Sequence, residues 1–308
     1  MERYRFDFVN KRRYYFALFA VVAVLSVLSL SFKQLNLSID FKSGTRVELY
    51  TSGPIGTDKA AQLLENMGYE RPSVQQSTAG NPNGGGRLAV RLGQDLNPTE
   101  VEAIRVRFEK VFQQNIKSES SVVSPTVGRE IVRNTLKALL FASLAIIIYI
   151  AFRFEYRFSI ATILSLFYNA LFTTGVFSWF GIEVDLLFVV AILTVIGYDM
   201  NDSIVIFDRI RENLDRNPPR TRSDLFHLVN SSIHQTLVRS INTVLTVLFA
   251  GVSLYIFAGE SIGNFALALL IGITTGTFTS IFLASQVWVG WKWHSMKKAQ
   301  IATNEVKS

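Results

Sequence analysis

Two aspartates, Asp199 and Asp202, stand inside VDLLFVVAILTVIGYDMNDSIVIFDRIREN, the stretch from Val184 to Asn213, which begins as a run apolar enough to cross a bilayer. A carboxylate in hydrocarbon costs about 3 kcal/mol even on lenient insertion scales, so it faces a bundle interior, a water path or a cation. The i, i+3 spacing puts both carboxylates on one face of a helix, with Asn201 to one side. Further along, Arg239 opens another apolar run, and the register Arg239, Asn242, Thr243, Thr246 lines one polar helix face. Apposing the two faces satisfies both, with Arg239 as the counter-ion of Asp202 and Asn242 and Thr243 as neutral hydrogen-bond partners. Two chemistries fit this constellation. It is either a static ion pair that locks two helices, or a carboxylate that takes and releases a proton as access to it changes.

The rest of the chain must then be a membrane scaffold. Hydrophobic residues make up 49% of the sequence, mean hydropathy is +0.28, and several runs approach the roughly 18 apolar residues of a transmembrane helix. The net charge of +7 could suggest nucleic acid, but the basic residues cluster beside apolar runs and read as topology signals, so no nucleic-acid partner is expected. Without cysteine there is no disulfide, thiolate ligand or cysteine nucleophile. His227, His234 and His294 have no metal-ligand spacing, and no P-loop or nucleophile elbow is present. No enzyme, metal or cofactor is expected.

Taken in order, MERYRFDFVNKRR is a basic head and Tyr14 to Phe32 an apolar run. That run is longer than a signal-peptide core and is followed by FKQLN rather than a small-residue cleavage site. An uncleaved first span is expected. Residues 33–134 are polar and rich in turn residues. SIDFKSGTRVELY reads as a strand, TDKAAQLLENMG as a helix capped by Thr57 and ended by Gly68, and PSVQQS as a strand. NPNGGG reads as a flexible turn, RLAVRLG as a strand, PTEVEAIRVRFEKVFQQN as a helix opened by Pro98 and Thr99, and ESSVVS as a last strand. The order βαββαβ is the split βαβ, ferredoxin-like pattern of a small α+β domain.

Further spans are expected near 135–152, 158–180, 184–207, 238–257 and 263–291, making a polytopic α-helical membrane protein of six transmembrane helices. Arg153, Arg157, Arg209, Arg211, Arg216, Arg220, Arg222, Lys292, Lys297 and Lys298 fall on one side, while GIEVD and FAGESIGN on the other carry no Lys or Arg. The positive-inside rule puts both termini in the cytoplasm and the 33–134 domain outside. The charged segment 208–238, interrupted at NPPR, is expected to lie on anionic headgroups rather than to dock a protein, and 292–308 is a cytoplasmic tail. Gly272 and Gly276 in GITTGTFTS have GxxxG spacing, expected as a packing face within the chain rather than with a partner.

VIGYDMNDSIVIFDRIREN closely resembles the fourth-span motif of the SecF branch of the SecD/SecF family, bacterial protein-export membrane subunits of the resistance-nodulation-division superfamily. SIDFKSGTRVEL resembles the family's DFxGG segment, and SPTVGREI, FRFEYRFSIA, HQTLVRSINTVLT and IGITTGTFTSIFLAS resemble its segments before and within the later spans. The resemblance covers nearly the whole chain. It implies a role in Sec-dependent export with SecD, beside the SecYEG channel, using the proton gradient to move secreted polypeptide chains, with YajC and the SecA motor as indirect partners, in the bacterial cytoplasmic membrane. The family's membrane aspartate falls on Asp202, its arginine on Arg239 and a neighbouring polar position on Thr243.

Two departures stand out. Where many members have His-Asp in span three this chain has Tyr168-Asn169, and where many have Ser in GYSxND it has Asp199. One carboxylate is missing from one helix and one is added to the next, and the two changes are expected to offset each other within one polar cluster. A proton-coupled small-molecule or lipid exporter of the same superfamily would also carry membrane carboxylates, but usually on twelve spans with much larger outer domains. A purely structural assembly subunit would need no ionisable pair at all.

Overall fold

In the computed structural model the described residues are 7–70, 72–77, 86–258 and 260–305. The first six residues of the basic head, the NPNGGG turn up to its last glycine, Gly259 of FAGESIGN and the last three residues of the tail lie outside them. Among the described residues six stretches are long and apolar enough to cross a membrane. They are α1 (Arg12–Phe32), α5 (Pro125–Arg153), α6 (Tyr156–Phe180), α7 (Leu186–Arg216), α8 (Arg222–Phe257) and a last span in which α9 (Glu260–Thr279) runs through a π-helical turn (Ser280–Ala284) into α10 (Ser285–Glu305). The protein is a multi-pass membrane protein. The polar segment 208–238 does not form a separate element, because α7 and α8 extend through it and break only around Pro218 and Pro219 of NPPR. Proline cannot continue the i to i−4 ladder. At the restart Thr221 Oγ accepts from Asp224 N–H at 3.2 Å, and Asp224 accepts in turn from Thr221 N–H at 2.9 Å.

Between the first two spans lies an α+β unit. It comprises β1 (Asn36–Leu37), α2 (Ile39–Lys42), β2 (Gly44–Tyr50), α3 (Thr57–Asn66), β3 (Ser73–Ser77), β4 (Arg87–Leu92), α4 (Pro98–Phe112) and β5 (Lys117–Val123). Four of the strands form one sheet in the order β3-β4-β2-β5, every neighbouring pair antiparallel. From β2 on, the element order is strand, helix, strand, strand, helix, strand, as the alternating pattern predicts. Period-two alternation sends Val47, Leu49, Leu88, Val90 and Leu92 to one face, where they bury against Leu64 of α3 and Val101, Ile104 and Phe108 of α4.

Two local expectations are corrected. SIDFKSGTRVELY is not one strand: Ser38 accepts from Asp40 N–H at 3.1 Å and opens the short α2. Ser43 and Gly44 then take φ of 66° and 126°, and β2 begins only at Gly44. A Cβ on Gly44 would lie 2.2 Å from the Leu92 carbonyl oxygen, so only glycine fits the turn into the sheet. Helix α3 is capped by Gly56, with Thr57 its first residue, and Gly68 follows its end at φ 93°.

In the bundle, α9 packs among α6, α7 and α8, and α1 leans on α6. Gly175 permits that last approach, since a Cβ there would lie 2.5 Å from Ser26 Cβ. Ser29 Oγ donates to Ser178 Oγ at 3.0 Å beside it. The α+β unit joins the bundle through β1, which pairs in parallel with β6 (Glu183–Val184), the short strand that leads into α7.

Candidate functional site

Helix α7 buries Ala191, Ile192, Val195, Asp199, Asp202, Ser203 and Ile206, a stripe at helical spacing, so its two carboxylates share the face that meets α9 and α6. Asp199 is 3% exposed and Asp202 6%. The aspartates can sit there because α9 is thin at that level. A Cβ on Gly272 would come within 2.5 Å of Val195 Cγ2, and one on Gly276 within 2.9 Å of Asn169 Nδ2 and 3.1 Å of Asp199 Cγ. Both glycines thus face α6 and α7 of this chain at close range.

Asp199 is held by neutral donors. Ser280 Oγ donates to Asp199 Oδ1 at 2.8 Å, and Asn169 Nδ2 donates to Asp199 Oδ2 at 3.3 Å and to the Gly272 carbonyl at 2.9 Å. The Ser203 and Ser280 hydroxyls are 2.9 Å apart. Ser280 is the first residue of the π-helical turn. A π turn adds one residue to the helical circuit and often marks a functional position. The carboxylate of span four and the amide of span three thus share one cluster.

Asp202 accepts from Thr277 Oγ1 at 3.2 Å and lies beside the buried Ser240 hydroxyl of α8. A crevice lined by Tyr198, Asp199, Asp202, Thr243, Val244, Ile273 and Thr277 reaches both carboxylates, with room for roughly one water molecule.

Arg239 is not the counter-ion of Asp202 here. It is exposed, and among the described residues neither it nor either aspartate makes an ion pair. Helix α8 turns Val229, Ile233, Thr236 and Ser240 inward. Arg239, one residue from Ser240, is rotated about 100° away. Asn242, Thr246 and Asn201 are also exposed. Asp199, Asp202 and Thr243 converge, whereas Asn201, Arg239 and Asn242 do not. Sequence reasoning missed Ser203, Ser240, Thr277 and Ser280. A signal for the last two was available in the spacing of small hydroxyl residues with Gly272 and Gly276, which puts them on the span-six face that meets the carboxylates.

The fold and site define a class: a six-span helical membrane protein with an α+β domain between spans one and two and two carboxylates buried where spans three, four and six meet. The chain belongs to the SecD/SecF family. Residues 103–294 match the family described as "Protein export membrane protein SecD/SecF, C-terminal", and residues 28–52 match the SecD/SecF GG motif. The chain is 40% identical over 298 residues to the protein translocase subunit SecF of Alicyclobacillus acidocaldarius, covering 96% of both chains. It is 41% identical over 296 residues to the translocase subunit SecDF of Bacillus subtilis, covering 96% of this chain and 39% of that one. The crystal structure of SecDF from Thermus thermophilus, a translocon-associated membrane protein, superposes with a TM-score of 0.83 at 32% identity, over 94% of this chain and 39% of that one. The chain therefore spans about two-fifths of the length of these SecDF relatives.

Proposed function

We propose that this chain is the SecF-type half of a proton-driven device that promotes Sec-dependent protein export across the bacterial cytoplasmic membrane, together with a SecD-type partner at the SecYEG channel. Proton traffic runs through Asp202 and Asp199. One observation carries this reading: both carboxylates are buried at the meeting of three spans and held only by hydroxyl and amide donors, with no ion pair among the described residues. A permanent charge so placed is a standing cost, whereas a carboxylate that is alternately charged and neutral makes the burial useful. Each change of charge alters what Ser280, Asn169 and Thr277 can donate to. Because Gly272 and Gly276 leave no slack between α7 and α9, a change at either carboxylate shifts the packing of the helices. A membrane potential supplies about 2.3 kcal/mol per elementary charge per 100 mV, so a few protons suffice to bias an element with two packings.

Basic residues at one end of the bundle support a cytoplasmic location of both termini and an outer location of the α+β domain, 33–134. The strand order β3-β4-β2-β5 supports its assignment as ferredoxin-like. The additional length of the SecDF relatives supports SecD as the other half of the unit. Arg239, Asn242 and Thr246, polar and exposed on α8, line a face available to that half. SecA and YajC enter as indirect partners.

The test is export of a precursor through proteoliposomes holding the channel, the motor ATPase and this chain with its partner, under an imposed proton gradient. The gradient should speed completion of transport, and Asp202→Asn should remove the acceleration. An acceleration unchanged by Asp202→Asn refutes the reading and favours a subunit with a purely structural role.

A further inference from the structure

The α+β sheet presents one feature that its own fold leaves unexplained. Arg46 of β2 and Arg91 of β4 are directly opposite each other in the antiparallel register. They point away from the face that packs on α3 and α4, on which Val47, Val90 and Leu92 lie. Like charges directly opposite across two strands repel. The anion that resolves this comes from the bundle: the side chain of Glu183, 2% exposed, inserts between them. Its Oε1 accepts from Arg46 at 3.3 Å, and its Oε2 pairs with Arg91.

Glu183 is held from the bundle side as well. It belongs to β6, which pairs with β1 at the end of the first span. Its carbonyl accepts from Asn264 Nδ2 of α9 at 3.2 Å. Two residues further, Asp185 caps α7, accepting from Phe188 N–H at 2.8 Å. Asp40 of α2 accepts from the Leu186 N–H at 3.4 Å. The first turn of the helix that carries Asp199 and Asp202 is therefore fastened to the sheet through one buried carboxylate.

We propose that Glu183, gripped by Arg46 and Arg91, is the coupling joint through which displacement of α7 is passed to the α+β domain. It is a positioning residue, remote from the proton-carrying groups, and the proposal rests on the proton-driven reading above. A buried, doubly paired carboxylate suits this role because breaking it leaves either two facing arginines or an unpaired buried charge, so the domain follows the helix rather than slipping against it. The other ties near it, the two-residue β1–β6 pair, the Ser38 N–H on the Val184 carbonyl and Asp40 on the Leu186 N–H, engage β1 and α2 rather than the four-stranded sheet itself.

The experiment uses the full chain with its partner in nanodiscs. The sequence has no cysteine, so spin labels go cleanly on Lys59→Cys of α3 and Ser253→Cys of α8, both exposed. The distance distribution is compared between proteins with Asp202 and with Asp202→Asn, while thiol labelling of Val244→Cys, an apolar position lining the crevice, in separate samples reports the bundle itself. With Glu183 intact, both readouts should respond to Asp202→Asn. With Glu183→Ala, the thiol readout should still respond but the inter-label distance should broaden and no longer shift. The charge-exchanged pair Glu183→Arg with Arg91→Glu should restore the shift, which separates lost coupling from misfolding. A distance shift that persists in Glu183→Ala, or is absent from the charge-exchanged pair, overturns the joint alone. No response of either readout in the protein with Glu183 intact overturns the proton-driven reading and the joint with it.

Discussion

Replacing Gly272 by alanine should strain the contact between the carboxylate helix and its neighbour, by an amount the geometry sets. The new Cβ would lie 2.5 Å from Val195 Cγ2 and 2.7 Å from Cγ1. Val195 is 1% exposed and has no flexible end to swing aside. A β-branched side chain in a helix holds essentially one χ1 rotamer, so the backbones must part. Overpacking of this kind costs about 1–3 kcal/mol. Val195→Ala removes both offending methyl groups, at about 0.8 kcal/mol each by the usual scale for a buried carbon, and in a bilayer the loss is one of packing rather than of transfer from water. In the double variant the methyl added on α9 fills part of the room left on α7. It should be more stable than the sum of the single effects by about 1–2 kcal/mol, well beyond the roughly 0.5 kcal/mol within which independent sites add. Thermal unfolding of the four purified proteins in one detergent gives the cycle. Strict additivity, or a harmless Gly272→Ala, would refute the close packing of α9 on α7 and with it the argument that a charge change at Asp199 cannot be absorbed locally.

Other consequences follow from named contacts. Asp199→Ser should impair export and become tolerated when Asn169→Asp is added, because the two side chains already share a hydrogen bond at 3.3 Å; a double variant no better than the single one sinks the idea of an exchanged carboxylate. Arg239→Gln should change the thermal stability of the chain by less than about 0.5 kcal/mol, as at ordinary exposed sites, whereas loss of a buried pair would cost about 3–5 kcal/mol. Thr221→Ala should weaken the start of α8 by about 1 kcal/mol, seen as faster hydrogen exchange of its first-turn amides; unchanged exchange would mean that the reciprocal caps of Thr221 and Asp224 are not what begins the helix.

Much of this architecture is legible in the residues. Long apolar runs announce the spans, and period-two alternation with turn residues announces the strands of the α+β unit, because each pattern reflects one periodic contact with one surrounding. Asp199 and Asp202 are legible as a pair for the same reason, being unaffordable in hydrocarbon unless turned inward. The Arg239 partner was misplaced because helical register predicts which residues of one helix share a face, not how two helices are rotated against each other. Inward-facing Ser240 and outward-facing Arg239 are neighbours in sequence, and the packing of α8 on α7 and α9 chooses between them. The π-helical turn leaves no mark in composition, since SIFLA reads as ordinary helix, yet it begins at the hydroxyl that meets Asp199. GIEVD reads as a plain short loop. Only the cross-strand register of Arg46 and Arg91 shows why a buried glutamate belongs there.

The central claim is that Asp202 works by changing its charge. The measurement that meets it most directly is export of a secreted reporter in cells whose only copy of this protein carries Asp202→Asn, an isosteric change that can still accept from Thr277, with membrane abundance compared with the unchanged protein. Export should fail while abundance stays normal. Normal export at normal abundance would contradict the claim, and would leave Asp202 as a structural hydrogen-bonding group between α7 and α9.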